Sequence, residues 1–318
     1  MRKKDLGQYF TRNDIWLKPQ IKDFMLNSGV SSVLDPFCGN GDLLKVARDL
    51  GFKNCVGYDI DSTLNWKIND SLKYIEKTDA LILTNPPYLA KNSAKRRKSP
   101  SYKYFDGNNY SDLYLIALDR ILDSSEKSVV IIPESFLQTG LFCERLHSLT
   151  VIEDNPFIDT ECPVCVACFD DREKNANEVA IFKNNEFVFT MDELNRLRKK
   201  PKNTLPLTFN DKEGQVGIRC IDGVHVNNNI CYSKPDKLNY DLNKICTSSR
   251  SITVVGVETD KSIDKLISTA NDILYDYREK TKDLLLCAFK GNQTDNSRRR
   301  RLDFATARAI MEEAVACV

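Results

Sequence analysis

Asn85-Pro86-Pro87-Tyr88 stands one residue behind the apolar run Leu81-Ile82-Leu83. Two prolines lack amide hydrogens and fix φ, so the turn is stiff, and the Asn85 side-chain amide and the Pro86 carbonyl stay able to accept hydrogen bonds. A planar exocyclic amine has two hydrogens to donate. Two rigid acceptors would hold it and draw its lone pair out of conjugation with the ring, turning a poor nucleophile toward an electrophilic carbon. Tyr88 adds a flat face on which a planar base can stack.

Some fifty residues earlier, Val33-Leu34-Asp35-Pro36-Phe37-Cys38-Gly39-Asn40-Gly41-Asp42-Leu43-Leu44 reads as the end of a strand, a tight glycine turn and the start of a helix. Glycine at such a turn lets the backbone approach a ligand closely. The following strand ends at Tyr58-Asp59-Ile60-Asp61, an acid about 20 residues past the glycines and suited to a ribose diol. The full three-glycine pyrophosphate fingerprint is missing, and Asp35 would repel phosphate. A cofactor with a ribose, a positive charge and no phosphate fits better, and S-adenosyl-L-methionine has that character.

These residues need a scaffold that presents strand ends. Val33-Leu34, Cys55 to Tyr58, Ala80 to Leu83 and Val129 to Ile132 are apolar, of strand length and bounded by turn residues. Between them, Asp42 to Leu50 and Leu113 to Leu122 carry apolar residues at helical spacing. Strand, helix, strand in succession predicts an α/β fold with a doubly wound, mostly parallel sheet covered on both faces. The second half is less regular: Leu205 to Cys246 is rich in turn residues, whereas Ser262 to Phe289 and Phe304 to Val315 read as helices. The boundary falls near 183–204, giving a domain over 1–190 and a smaller one over 191–318. At 318 residues, 42% hydrophobic and 29% charged, the chain is no disordered polyelectrolyte. No window approaches the roughly 18 apolar residues of a membrane span, and Met1 to Asp5 leads into no apolar signal core, so a cytoplasmic protein with no membrane partner is expected. The 11 cysteines then read as reduced thiols.

Taken in order, Gly7-Gln8-Tyr9-Phe10-Thr11, the Asp35 to Leu44 turn, Asp59, Asp70, Asn85-Pro86-Pro87-Tyr88 and Val130-Ile131-Ile132-Pro133 resemble the successive motifs of amino-group DNA methyltransferases. The order is that of the gamma class, which includes the Taq-type adenine-N6 enzymes, and the likeness spans residues 7–170. It implies a class I, Rossmann-like methyltransferase domain with a seven-stranded sheet and a C-terminal target recognition region. It implies a site-specific adenine methyltransferase of a restriction-modification system or a phage, acting as a monomer on double-stranded DNA, with a cognate restriction endonuclease sharing its site without binding it. By the same likeness, Phe10, Thr11 and Asp35 would hold the methionine end of S-adenosyl-L-methionine, with Gly39 and Gly41 forming the turn. Asp59 would take the ribose and Asp70 the adenine amine, between Pro36, Phe37 and Ile60. Asn85 and Pro86 would bind the target amine, Pro87 would stiffen the loop, and Tyr88 would stack on the flipped base with Phe157 at its other edge. Ser71 departs from the aromatic residue common at its position.

Outside those motifs, Lys91 to Phe105 interleaves Lys95, Arg96, Arg97 and Lys98 with Tyr102, Tyr104 and Phe105, a composition suited to phosphates and extruded bases. A flexible loop that orders on DNA is expected there. Arg196-Leu197-Arg198-Lys199-Lys200 and Arg298 to Arg301 are further basic runs, the latter either a phosphate stripe or a hinge. Cys162-Pro163-Val164-Cys165-Val166-Ala167-Cys168 suits a buried strand better than zinc, which wants four ligands in paired knuckles, so no metal is expected. RNA adenine, cytosine N4 and a glutamine side-chain amide remain alternative acceptors, because a rigid acceptor pair recognises a planar amine. A DNA-binding module without activity is a further alternative, against which the intact acceptor loop and cofactor acids weigh.

Overall fold

Short apolar runs bounded by turn residues set the sheet. The structure, a computed structural model, describes residues 14–157, 160–245 and 251–318. The motif from Gly7 to Thr11, with Phe10 and Thr11, lies outside them. The chain separates into two compact units, Met1–Asp192 and Glu193–Val318.

In the first unit, helix α1 (Pro19–Leu26) precedes strand β1 (Ser32–Asp35), helix α2 (Asp42–Asp49), and strands β2 (Asn54–Asp59), β3 (Lys67–Ile68) and β4 (Leu81–Thr84). Helices α3 (Lys91–Arg96) and α4 (Leu113–Ser124) follow, then strands β5 (Ser128–Pro133), β6 (Leu146–Ile152), β7 (Val164–Phe169), β8 (Ala180–Lys183) and β9 (Glu186–Thr190). Among the described residues they form one nine-stranded sheet in the order β3-β2-β1-β4-β5-β7-β6-β8-β9. From β3 to β5 every pairing is parallel; β7 runs antiparallel to both β5 and β6. The parallel doubly wound arrangement expected for 33–132 is thus present within a mixed sheet.

The strand count corrects the expected seven. Residues 180–190 add a hairpin at the edge, with β8 parallel to β6 and antiparallel to β9. Asn184, at φ 51°, makes the turn, a conformation that asparagine tolerates better than most residues. Both strands are short and only partly buried, so they lack the continuous apolar run of a central strand. Such runs mark the centre: every residue of β7 is buried, and so are all of β5 up to Pro133. Fully burying one such Val, Ile or Leu is worth about 1.5–3 kcal/mol. Cys165 and Cys168 are part of this core, where burial pushes both thiols up.

The second unit is more regular than its composition suggests. After helix α5 (Met191–Leu197) come strands β10 (Leu207–Phe209), β11 (Val216–Arg219), β12 (Cys231–Ser233) and β13 (Ile252–Val257), paired antiparallel in the order β10-β13-β11-β12. Helix α6 (Ile263–Thr281), strands β14 (Cys287–Asn292) and β15 (Arg298–Arg301), and helix α7 (Phe304–Cys317) complete it. The helix expected over 262–289 stops at Thr281 because Lys282 and Asp283 take left-handed conformations, at φ 47° and 63°. Phe289 belongs to β14, which pairs antiparallel with β15. No helix of the described residues is long and apolar enough to cross a membrane.

Asp222 holds this unit together. Its fully buried carboxylate receives Nη1 and Nη2 of Arg278, each at 2.9 Å, and the amides of Ile230 and Arg300 at 3.0 Å. Arg278 also donates from Nε and Nη2 to Asp283 at 2.8 and 2.9 Å. Removing one partner of such a pair strands the other charge in a low-dielectric interior. Arg278→Met should therefore cost about 3–5 kcal/mol, read as a lower urea midpoint for the C-terminal unit; a loss below about 1 kcal/mol would show that the pair is not what holds α6 to the turn at Asp222.

Candidate functional site

Strand β1 ends on Asp35, whose side chain is 1% exposed. Its Oδ1 accepts from the Phe37 amide at 3.0 Å and from Thr84 Oγ1 at 2.6 Å, so the last residues of β1 and β4 are bonded side chain to side chain. Burial pushes the Asp35 pKa up to about 7; the bonds from Thr84 and Phe37 pull it down, and the nearby Asp59 charge adds to the rise. The sheet order reverses between β1 and β4, the place where parallel sheets wound in this way ordinarily take a ligand beyond their strand ends.

The glycine turn follows directly on the end of β1. Gly39 and Gly41 both have positive φ, 53° and 83°, and Gly41 opens α2 as its N-cap. Asp59, at the end of β2, accepts the Gly39 amide on Oδ2 at 2.8 Å and the Asp61 amide on Oδ1 at 2.9 Å. A carboxylate has about four lone-pair sites, so Asp59 can grip the turn and still accept from a diol. Pro36 is buried and Phe37 half-buried, while Ile60, an expected apolar wall, is 50% exposed.

Asp70 and Ser71 follow β3. Asp70 Oδ2 accepts the Tyr104 hydroxyl at 3.0 Å and lies 3.3 Å from Lys73 Nζ. Ser71 is buried and accepts from Asn69 Nδ2 at 2.8 Å. Position 71 therefore supplies no ring here, and the aromatic residue beside Asp70 is Tyr104, from behind the Asn-Pro-Pro-Tyr loop.

That loop begins one residue past Thr84. Tyr88 is 6% exposed, and its hydroxyl bonds to Asn85 Oδ1 and to the Ile131 carbonyl, the latter at 2.7 Å. A phenol has one proton, so the two acceptors share it. The Asn85 oxygen, with two lone pairs, can also accept from an incoming amine. The Tyr88 ring packs edge-on to Tyr114 and Phe157, with centroids 6.4 and 6.3 Å away. The structure thus brings Phe157 to Tyr88, but in a packed arrangement rather than on either side of an open slot. Pro86 is buried and Pro87 half-buried.

The segment behind the loop is not the irregular chain expected. Residues 91–96 form α3, Pro100–Phe105 form a short 3-10 helix, and Phe105 is buried. Asp112 joins it to the fold: its Oδ1 accepts the Leu89 amide at 2.9 Å and caps α4 at Tyr114, and burial raises its pKa to about 6. Lys95, Arg96, Arg97 and Lys98 all stay exposed. The other basic runs are built into structure. Lys199 pairs with Glu313 and lies over the Tyr277 ring. Arg298 to Arg301 are strand β15 rather than a hinge, with Arg298 and Arg300 buried, Arg300 only 1% exposed, and Arg299 and Arg301 half-buried.

Four residues of this site carry little sequence signal for the contacts they make. Thr84 is marked only as a polar residue closing an apolar run, and Asp112 only as an acid preceding a helix. Tyr104 was expected to stack rather than to bond Asp70. Trp66, whose indole lies against the glycine turn, sits in a stretch with no periodicity. Among the described residues no group of three or more His, Cys, Asp or Glu could hold a metal.

No family model matches the chain, and no curated protein matches it. Solved structures do. The type I restriction-modification methyltransferase subunit from Streptococcus thermophilus aligns with 61% of this chain at 18% identity and a TM-score of 0.41. The chain spans about half of that subunit, 53% of its length. The M protein of the type I restriction enzyme EcoKI aligns with 90% of this chain and 65% of its own, at 11% identity and a TM-score of 0.33. A TehB-like SAM-dependent methyltransferase from Corynebacterium glutamicum aligns with 48% of this chain and 87% of its own, at 17% identity and a TM-score of 0.30.

The raised Asp35 pKa has a stability consequence. A carboxyl that holds its proton more tightly folded than unfolded stabilises the fold fully at low pH, and loses that contribution as pH rises through its folded value. The ligand-free protein should lose stability as pH rises from about 4 to about 7, with Asp112 contributing up to about pH 6. Asp35→Asn should flatten the slope in urea titrations across that range, and an unchanged slope would show that Asp35 does not titrate there.

Proposed function

We propose that the chain is an S-adenosyl-L-methionine-dependent methyltransferase acting on adenine N6 in duplex DNA. The observation that carries this reading is the Thr84 to Asp35 bond, which sets the glycine turn and the Asn-Pro-Pro-Tyr loop side by side at the reversal of strand order. Support comes also from the acids at the ends of β1 and β2 and after β3, and from the motif order in the sequence.

The residues present fit the cofactor. Asp35 is a buried acid suited to a cationic amino-acid end, Asp59 has acceptor capacity left for a ribose, and Asp70 bears a carboxylate for an adenine amine. Phe37 and the exposed Ile60 offer apolar walls to a purine. When bound, S-adenosyl-L-methionine supplies an activated methyl group. Asn85 Oδ1 and the Pro86 carbonyl accept the two hydrogens of the target amine and aim its lone pair, so that positioning and polarisation do the work of rate enhancement. No side chain need act as base before transfer, because the amine proton is released once the nitrogen has become cationic.

An adenine in a duplex cannot reach these strand ends unless it leaves the stack, at a cost of a few kcal/mol. Tyr88 and Phe157 would receive it, and their edge-on packing must open to do so. The exposed Lys95 to Lys98 run would hold the flanking phosphates, whose contacts position without reading sequence. The second unit would supply base recognition.

The test is transfer of a labelled methyl group from S-adenosyl-L-methionine, offered in parallel to duplex DNA, structured RNA and cell protein, followed by nucleoside analysis. Label in N6-methyladenine of DNA is the expected result. Label in RNA, in N4-methylcytosine or in glutamine would move the same chemistry to that acceptor, and no label in any would sink the enzyme reading. Asn85→Ala should lower turnover about a hundred- to a thousandfold, the order of loss seen on removing a transition-state hydrogen-bond partner, while S-adenosylhomocysteine still binds by calorimetry.

A further inference from the structure

Strands β2 and β3 are parallel neighbours, with Tyr58 beside Lys67 and Asp59 beside Ile68, yet only residues 60–66 join them. A parallel connection ordinarily takes a dozen or more residues and carries a helix that covers the sheet. Seven residues hold no such helix. What lies against the sheet instead is the indole of Trp66, at the end of the connection. Asp61 organises its start, accepting the amide and hydroxyl of Thr63 at 2.9 and 2.7 Å.

The indole meets three glycines. Its Nε1 donates to the Gly39 carbonyl at 2.8 Å. A Cβ on Gly41 would lie 2.7 Å from Trp66 Cζ2, and one on Gly57, in β2, would lie 2.7 Å from Cε3 and 2.5 Å from Cys38 Sγ. Neither neighbour is the loose end of a flexible chain, so both positions require glycine as long as the ring is there. Gly39 is thereby held at both of its backbone polar groups, the amide by Asp59 and the carbonyl by Trp66. The positive φ of Gly39 and Gly41 makes such restraint matter, since glycine loses the most conformational freedom on ordering.

We propose that Trp66 is a positioning residue for the cofactor: its indole replaces a covering helix and clamps the Gly39–Gly41 turn in the conformation that receives the ligand. The inference rests on the reading of that turn as the cofactor site. Trp66 acts through the turn and orders it before the ligand arrives, so its loss appears in cofactor affinity rather than in the chemical step.

The chain has two tryptophans, Trp66 and the fully buried Trp16, which makes the clamp observable. Trp66→Phe keeps a ring but removes the Nε1 hydrogen bond. It should weaken S-adenosylhomocysteine binding by calorimetry roughly fivefold, the worth of one ordinary hydrogen bond. It should raise the KM for S-adenosyl-L-methionine in step and leave kcat at saturation within about twofold, in the pattern of a lost ground-state contact. Gly57→Ala, which puts a methyl where the indole sits, should give the same split, so the inference does not hang on one variant folding. Tryptophan emission should shift as S-adenosylhomocysteine is titrated into the wild type, and the shift should vanish in Trp66→Phe. Wild-type affinity in both variants, an unchanged KM with lowered kcat, or an emission shift that survives in Trp66→Phe would each overturn the clamp. Wild-type protein that fails to bind S-adenosylhomocysteine at all would instead remove the cofactor reading beneath it.

Discussion

A hydroxyl at the end of β4 donating to a buried carboxyl at the end of β1 is the contact on which the rest of the site depends. Thr84 and Asp35 are 49 residues apart in sequence and 2.6 Å apart in space, on strands that adjoin where the sheet order reverses. The residues after Asp35 make the glycine turn, and those after Thr84 make the Asn-Pro-Pro-Tyr loop. One hydrogen bond therefore ties the glycine turn to the Asn-Pro-Pro-Tyr loop, the two parts that the proposed function assigns to cofactor and target amine. Burying Asp35 carries a desolvation cost, seen in its pKa of about 7, and the Thr84 hydroxyl and Phe37 amide offset part of it.

What could be read from the sequence was what depends on local pattern. The runs at Val33, Cys55, Leu81 and Val129 each lie in a parallel strand, and the periodic stretches from Asp42 and Leu113 are helices α2 and α4. Asp35, Asp59 and Asn85 stood out because an acid or amide at the end of an apolar run has a stereotyped place, whereas Asp70 was marked only by the motif resemblance. Trp66 did not stand out, and Tyr104 did so only as a stacking aromatic, because nothing in a single sequence marks an indole against a turn 27 residues earlier or a phenol against an acid 34 residues earlier. The hairpin of β8 and β9 escaped notice for the opposite reason: half-buried edge strands have too weak an alternation to separate from a linker.

Charge shows the same division between type and place. Three basic runs look alike in sequence, and their environments differ completely. Lys95 to Lys98 are exposed on a short ordered element. Lys199 is committed to Glu313 and an aromatic face. Of Arg298 to Arg301, alternate side chains are buried, because a strand that pairs on one edge must send every second residue to the same face. The formal charge of +1 averages an acid-rich first part, residues 1–182, with a base-rich remainder, and so describes neither.

The segment from Lys91 to Asp112 is best understood as a strut. Asp112 bonds the Leu89 amide just behind the Asn-Pro-Pro-Tyr loop, Ala90 bridges Asp112, and Tyr104 reaches across to Asp70. The same short stretch therefore meets the chain just behind the Asn-Pro-Pro-Tyr loop at one end and the acid after β3 at the other, with four exposed bases between. Moving it requires breaking a bond at one of those places. A segment that composition alone marks as a flexible loop is held by two carboxyls, Asp112 at one end and Asp70 through Tyr104 at the other, so the position of its charges is set by the acids that flank it.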